Sequence, residues 1–152
     1  MTTPEERLAA MGLEVPEVSA PVAAYVPAVR SGDHVYTSGQ LPFRAGELLG
    51  VGKVGGAVTP EEAYACAQQC VLNALAAIRT QVPLEQVRRV VKVVAFVAST
   101  TEFTGQPAVA NGASELLGEV FGDAGRHARS AVGVPVLPLD APVEVEMVVE
   151  VG

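Results

Sequence analysis

The sequence predicts an α+β sandwich in which two helices cover one face of a single sheet. Two observations carry that prediction, and the order of the elements completes it. Val143, Val145, Met147, Val149 and Val151 alternate with Glu144, Glu146 and Glu150, the two-residue period of a strand with one buried face. Ala63, Ala67, Cys70, Val71, Ala74, Leu75 and Ile78 recur at helical spacing, and a second helix is read from about Pro107 to Phe121, stopped by Gly122 and Gly125. The order of elements is two strands, a helix, a strand, a helix and two strands, which lets both helices lie on the same side of one sheet. The other face is left with Val, Tyr and Glu side chains.

From the N-terminus, Thr3-Pro4-Glu5-Glu6 reads as a helix start, with Thr3 as cap, Pro4 in the first turn and Glu6 closing a capping box. Leu8, Met11 and Leu13 extend it as a short amphipathic segment to near Pro16, a packing appendage without chemistry. Ala24 to Val29 leads through the turn Arg30-Ser31-Gly32-Asp33 into His34 to Ser38, an antiparallel hairpin. Gly39 follows, where a side chain would obstruct a ligand or another backbone. Phe43 to Ala57 is a Gly-rich connection expected to be a flexible loop. Within it, Gly50-Val51-Gly52-Lys53-Val54-Gly55 satisfies G-x-G-x-x-G, but it neither follows a strong strand nor opens a helix, so it is rejected as a dinucleotide fingerprint.

Thr59-Pro60-Glu61-Glu62 repeats the helix-start signal, and the helix it opens stops before Pro83. Leu84 to Val87 is a turn. Val90 to Val97 is so uniformly apolar and β-branched that it is expected as a central strand buried on both sides, with Lys92 at an edge or interface. After a polar linker, Ser99 to Glu102, comes the second helix. The last quarter, Arg129 to Glu146, is two β-rich segments joined by a Pro-bounded turn. One Arg heads the first and carboxylates line the second, where a sheet could bring guanidinium and Glu together.

Composition bounds the function. A chain of 152 residues fits one domain with a core that needs no staples. A net charge of −7, with no basic cluster beyond Arg88-Arg89, argues against a phosphate-backbone binder, so nucleic acid is not an expected partner. No apolar run reaches membrane length and no signal-peptide core follows Met1, so a cytoplasmic protein without membrane contact is expected. The apolar fraction of 49% suits surface destined for a subunit interface, with a Val-rich core as the alternative. Cys66 and Cys70 lie one helical turn apart, which disfavours a disulfide. With His34 and His127 distant in sequence they complete no zinc set, and core packing explains them.

The run Arg129-Ser130-x-Val132-x-Val134-x-x-Leu137-Pro138, followed by Val143-Glu144-Val145-Glu146, resembles the C-terminal signature of the RidA/YjgF family of small enamine and imine deaminases. Ala20-Pro21, Tyr25 and Tyr36-Thr37-Ser38-Gly39-Gln40-Leu41-Pro42 resemble its N-terminal signature, and Asn111 matches an Asn on its second helix. The likeness makes residues 20–152 a single RidA/YjgF-like domain behind an N-terminal helical extension, residues 1–19. It implies a chorismate-mutase-like fold that closes its second sheet face as a homotrimer with clefts between subunits. The implied reaction is hydrolysis of 2-aminoacrylate-like enamines and imines to 2-keto acids and ammonia, without metal or organic cofactor.

In that family the Arg matching Arg129 anchors the substrate carboxylate, a task suited to a planar, permanently charged fork. The alternative from the residues alone is a sheet ion pair with Glu144 or Glu146. The Glu matching Glu144 positions the attacking water, and Glu146, on the same strand face, competes for the role. Tyr25 and Gly39 match pocket-shaping positions and Asn111 a rim position. The chain departs from the pattern at Ala23-Ala24, where Gly-Pro is common, and at Ala131, often Cys. His127 adds a possible imidazole to the rim. A non-enzymatic binder of small carboxylates in the same cleft is the alternative function, and an endoribonuclease the third.

Overall fold

The structure, a computed structural model, describes residues 2–18 and 24–152; Ala20-Pro21 and Ala23 of the N-terminal signature lie outside the described residues. Helix α1 (Pro4–Ala10) opens on the expected capping box, with Thr3 Oγ1 accepting from the Glu6 N–H at 3.1 Å and the Glu6 carboxylate accepting from the Thr3 N–H at 3.0 Å. It ends before Pro16 is reached, because Gly12 turns left-handed at φ +73° just past the cap residue Met11. Leu8 is wholly buried and Arg7 Nη1 donates to the Val120 carbonyl at 3.1 Å, so the helix is fastened to the core.

Strands β1 (Ala28–Ser31) and β2 (His34–Thr37) form the predicted hairpin around Gly32-Asp33, with Gly32 at φ +59° as a tight turn requires. β1 begins later than Ala24. The Gly-rich connection is more ordered than expected. It holds a small hairpin of β3 (Phe43–Arg44) and β4 (Glu47–Leu48), and Val54, fully buried, bridges to both Val58 and Ser99. The rejected G-x-G-x-x-G lies in this pinned segment, ahead of the helix that Thr59 caps.

Helix α2 (Pro60–Arg79) and helix α3 (Gln106–Phe121) pack side by side. Gly112 allows it: a Cβ there would run into the Tyr64 carbonyl, and Ala67 closes the space beside it. The Tyr64 hydroxyl donates to the Glu115 carboxylate across the pair, and that bond, then burial, pushes the phenol pKa up. Cys66 and Cys70 are buried free thiols, as expected. Burial, with the Glu62 charge second, pushes Cys66 up to about 11, so it is inert rather than nucleophilic.

The remaining strands are β5 (Val87–Ala98), β6 (Ala128–Val134) and β7 (Val143–Val151). The sheet runs β1-β2-β7-β5-β6, with β6 parallel to β5 and every other pairing antiparallel. The parallel pair is the one joined by a helix, as such a crossover demands. Val35, Val93, Ala95, Val97 and the odd-numbered residues of β7 bury one face under α2 and α3. This is the mixed α+β sandwich with two helices on one face that the order of elements predicted.

Within the chain, β5 departs from its expectation. It is interior to the sheet but, within the chain, buried on one face only, since Val94 and Phe96 alternate with buried Val93, Ala95 and Val97 and remain half-buried with no layer over them among the described residues. Of the two places expected for Lys92 the edge is excluded, since it lies within the interior strand, opposite Val148 of β7 and Ala128 of β6, which leaves the interface. The open face carries Val29, Tyr36 and Val132, each about half exposed, together with the β7 carboxylates.

The helix contact gives a paired test within α3. Gly112→Val has to separate two backbones and should cost about 1–3 kcal/mol. Gly118→Ala, with nothing within 4 Å of the added methyl, should be neutral or stabilise by up to about 1 kcal/mol through helix propensity. Denaturant midpoints of the two variants check both, and equal losses would show that the glycine contact does not set the helix spacing.

Candidate functional site

The residues singled out from the sequence divide into two groups on different parts of the molecule. The first gathers where β2 meets β7. Ser38 holds the preceding segment, its N–H donating to the Pro27 carbonyl at 2.8 Å and its hydroxyl to the Val26 carbonyl at 2.6 Å, which brings exposed Tyr25 to the same end of the sheet. Gln40 then exchanges both backbone bonds with Val145, at 2.8 and 3.0 Å, so Gly39 lies against Glu144. A Cβ on Gly39 would overlap the Glu144 carboxylate. The obstruction expected at Gly39 is real, and the group that occupies the space is a carboxylate of the same chain.

Glu144 is half-buried on the open face. Burial first, and the Glu146 charge second, push its pKa above the ordinary carboxylate value. Glu146 lies on the same face, paired with Val94 where Glu144 pairs with Phe96. The structure thus keeps both candidates on one surface and distinguishes them by environment, since only Glu144 has Gly39 beside it.

The second group lies at the opposite edge, where β6 runs beside α3. Arg129 is in register with Val93, whose side chain faces the helices, and its guanidinium accordingly reaches α3. Nη1 donates to Asn111 Oδ1 at 2.8 Å and to Ser114 Oγ at 3.1 Å, and Nη2 to the Pro107 carbonyl at 3.4 Å. All of these partners are neutral. One Nη2–H remains and Nε makes no bond among the described residues; Nε and Nη2 form the side of the guanidinium that receives both oxygens of a carboxylate. Asn111 therefore touches Arg129 directly, and Ser114, three residues along the same helix face, shares the contact.

Arg129 and Glu144 are not brought together within one chain. β5 runs between their strands, so they stand two strand spacings apart, roughly 10 Å, before their offset along the strands is added. Their side chains also leave opposite faces: Arg129 follows Val93 toward the helices, and Glu144 follows Phe96 to the open side. The ion pair of Arg129 with Glu144 or Glu146 that the sequence left open is excluded by this geometry. Sequence reasoning missed Ser114 altogether and saw His127 only as a rim residue. The available signals were the i, i+3 spacing of Asn111 and Ser114 and the i, i+2 spacing of His127 and Arg129.

A one-sheet α+β domain with two helices on one face, an Arg at the sheet edge and a Glu-bearing open face defines a class of small chorismate-mutase-like domains. The chain belongs to the YjgF family: the profile described as "YjgF/chorismate mutase-like, putative endoribonuclease" matches residues 5–151. Protein TCP17 of Trypanosoma cruzi is 42% identical over 144 residues, 93% of this chain and 90% of that protein. The crystal structure of Atu1372 from Agrobacterium tumefaciens, described as of unknown function, is 42% identical with a TM-score of 0.93, covering 98% of this chain and 92% of that one. A protein from Shewanella oneidensis described as a "putative endoribonuclease" is 36% identical with a TM-score of 0.95, covering 99% of this chain and all of the other.

The environment of Glu144 fixes the sign of a pH effect. A carboxyl with a raised pKa in the folded chain binds more protons folded than unfolded, so its contribution to stability is full below the unfolded value and is lost as pH rises through the folded one. Glu144→Gln should therefore melt higher than the parent at about pH 7, with the difference closing toward about pH 4, near the ordinary Glu value. Thermal melts of both proteins across that range check it, and a deficit at neutral pH would mean that the carboxylate is stabilised rather than penalised.

Proposed function

We propose that this protein hydrolyses reactive enamine and imine intermediates of the 2-aminoacrylate type to 2-keto acids and ammonia. The observation that carries the reading is the Arg129 guanidinium, held by Asn111, Ser114 and the Pro107 carbonyl with its side-on fork free of any carboxylate among the described residues. A permanently charged, oriented fork at an edge is suited to the carboxylate of a small 2-imino acid.

The chemistry then needs a water and a proton acceptor. The enamine first tautomerises to the imine by taking a proton on carbon. Water adds to the imine carbon, Glu144 taking its proton, and the nitrogen is protonated. The carbinolamine collapses with release of ammonia, leaving the keto acid. A Glu whose pKa is raised is better matched to accept and return a proton near neutrality than an ordinary surface carboxylate.

Because Arg129 and Glu144 leave opposite faces of one chain, the complete site requires two copies, with the Arg129 edge of one against the Glu144 face of the next. A homotrimer provides such a cleft at each junction and covers the Val29, Tyr36, Phe96 and Val132 surface. Tyr25 and Gly39 then belong to the wall on the Glu144 side and Asn111 to the wall on the Arg129 side. The endoribonuclease reading suggested by the family's description has less support, since a chain of net charge −7 offers little attraction for a phosphate backbone.

The test couples the purified protein to a pyridoxal-phosphate-dependent threonine dehydratase and follows 2-keto acid release. Acceleration over buffer-catalysed hydrolysis is expected. Arg129→Lys should lose about 2 kcal/mol of transition-state binding, roughly 30-fold in rate, with little change in melting temperature. Tight 2-ketobutyrate binding without turnover would make the protein a carboxylate binder instead, and loss of stability in proportion to activity would make Arg129 scaffolding. Sedimentation should show a trimer at micromolar concentration, and a stable monomer would remove the composite site.

A further inference from the structure

The Arg129 fork is oriented by a second layer that neither the reaction chemistry nor the family comparison assigns. His127 Nδ1 lies 2.6 Å from the Gly125 carbonyl, His127 Nε2 lies 2.9 Å from Ser114 Oγ, and Ser114 Oγ receives Arg129 Nη1 at 3.1 Å. We propose that Ser114 and His127 are positioning residues: a relay running from the Gly125 carbonyl through His127 and Ser114 determines which edge of Arg129 faces an anionic ligand.

With the imidazole neutral, the direction of every bond in the relay follows from what each group can do. A carbonyl only accepts, so Nδ1 must carry the ring proton. A neutral imidazole then has a lone pair at Nε2, and Ser114 donates its hydroxyl hydrogen to it. With that hydrogen committed, Ser114 Oγ presents its lone pairs to Nη1, while Asn111 Oδ1 takes the other Nη1 hydrogen at 2.8 Å. Both Nη1 hydrogens are thereby used on one side of the guanidinium. That leaves the Nε–H and one Nη2–H, Pro107 taking the other, so the relay turns the Nε–Nη2 side of the guanidinium toward a ligand.

The far end of the relay is equally constrained. Gly125 is buried, and a Cβ on it would collide with the Leu117 carbonyl and its carbon. Its Cα is therefore held against α3, the helix that carries Ser114 and Asn111, and its carbonyl is the group that meets His127. The loop closes on itself, from α3 through the turn at Gly122–Gly125 and the start of β6 back to α3. A long cationic side chain at a sheet edge would otherwise sample many rotamers and lose that freedom on binding. The relay meets part of that cost before the ligand arrives.

This inference rests on the reading of Arg129 as a carboxylate anchor, and its test separates the two. The first readout needs no ligand. Nitrogen NMR of the protein with labelled histidine and arginine should show His127 as the Nδ1–H tautomer, the minor form of free imidazole, and an ordered Arg129 Nε–H. Ser114→Ala and His127→Phe should each mobilise that Arg129 resonance. His127→Gln should restore it, because its side-chain carbonyl oxygen can accept from Ser114 where Nε2 did.

The second readout is 2-ketobutyrate affinity by calorimetry. Ser114→Ala and His127→Phe should each weaken it by about 10-fold, the loss of one hydrogen bond to a charged group, with His127→Gln close to the parent and melting temperatures little changed. An Nε2–H tautomer, or an Arg129 resonance and affinity indifferent to Ser114→Ala, His127→Phe and His127→Gln alike, overturns the relay. Affinity unaffected by Arg129→Ala, or absent from the parent, overturns the carboxylate-anchor reading, and the ligand-free NMR still decides the relay.

Discussion

The placement of β5 between β6 and β7 is the constraint on which the molecule depends. A parallel partner on one side and an antiparallel one on the other make β5 the spine of the sheet, and the helix-bearing crossover from β5 to β6 lays α3 on the same face as α2. The core follows, since that face is where the inward residues of β2, β5 and β7 are covered. The division of the functional residues follows too. One register sends Arg129 toward α3, and another sends Glu144 to the uncovered side. Moving either strand by one residue would exchange its faces.

Glycine spends its missing side chain at specific approaches. Gly112 brings two helix backbones together, Gly125 seats the turn against α3, and Gly39 leaves room for the Glu144 carboxylate. The first two determine where α3 stands relative to the sheet, and so where Asn111 and Ser114 meet the guanidinium. The third determines the surroundings of the carboxylate. Packing and chemistry share the same small residues, and a substitution at these positions would move functional groups that it never touches.

The open face and the edge are complementary in character. The face carries Glu144, Glu146, Tyr36 and Val132, while the edge carries a cation with neutral supports. Joining the two between copies would unite a guanidinium with a carboxylate of raised pKa without requiring a direct ion pair inside either chain. That arrangement keeps both groups separately available, one for an anion and the other for a proton. Two such groups bonded to each other would be available for neither.

The sequence by itself determined whatever is encoded within a segment. The capping box at Thr3, the cap at Thr59, the helix stop at Gly122, the turn at Gly32-Asp33 and the alternation of β7 all arise from hydrogen bonds and side-chain periods among near neighbours, and all are present. The motif residues Arg129 and Glu144 were legible as chemistry because their charge and shape are local properties. The tertiary structure alone decided which strands are neighbours and which face each residue occupies. Uniformly apolar β5 reads as a strand buried on both sides, because composition carries no information on whether the chain itself supplies the second layer. The Gly-rich connection reads as a loop, because Val54 is anchored by Ser99, far along the chain. Ser114 reads as an ordinary helix serine until β6 brings His127 and Arg129 against it. In each case the deciding contact joins residues distant in sequence, and no local propensity or period records such a contact.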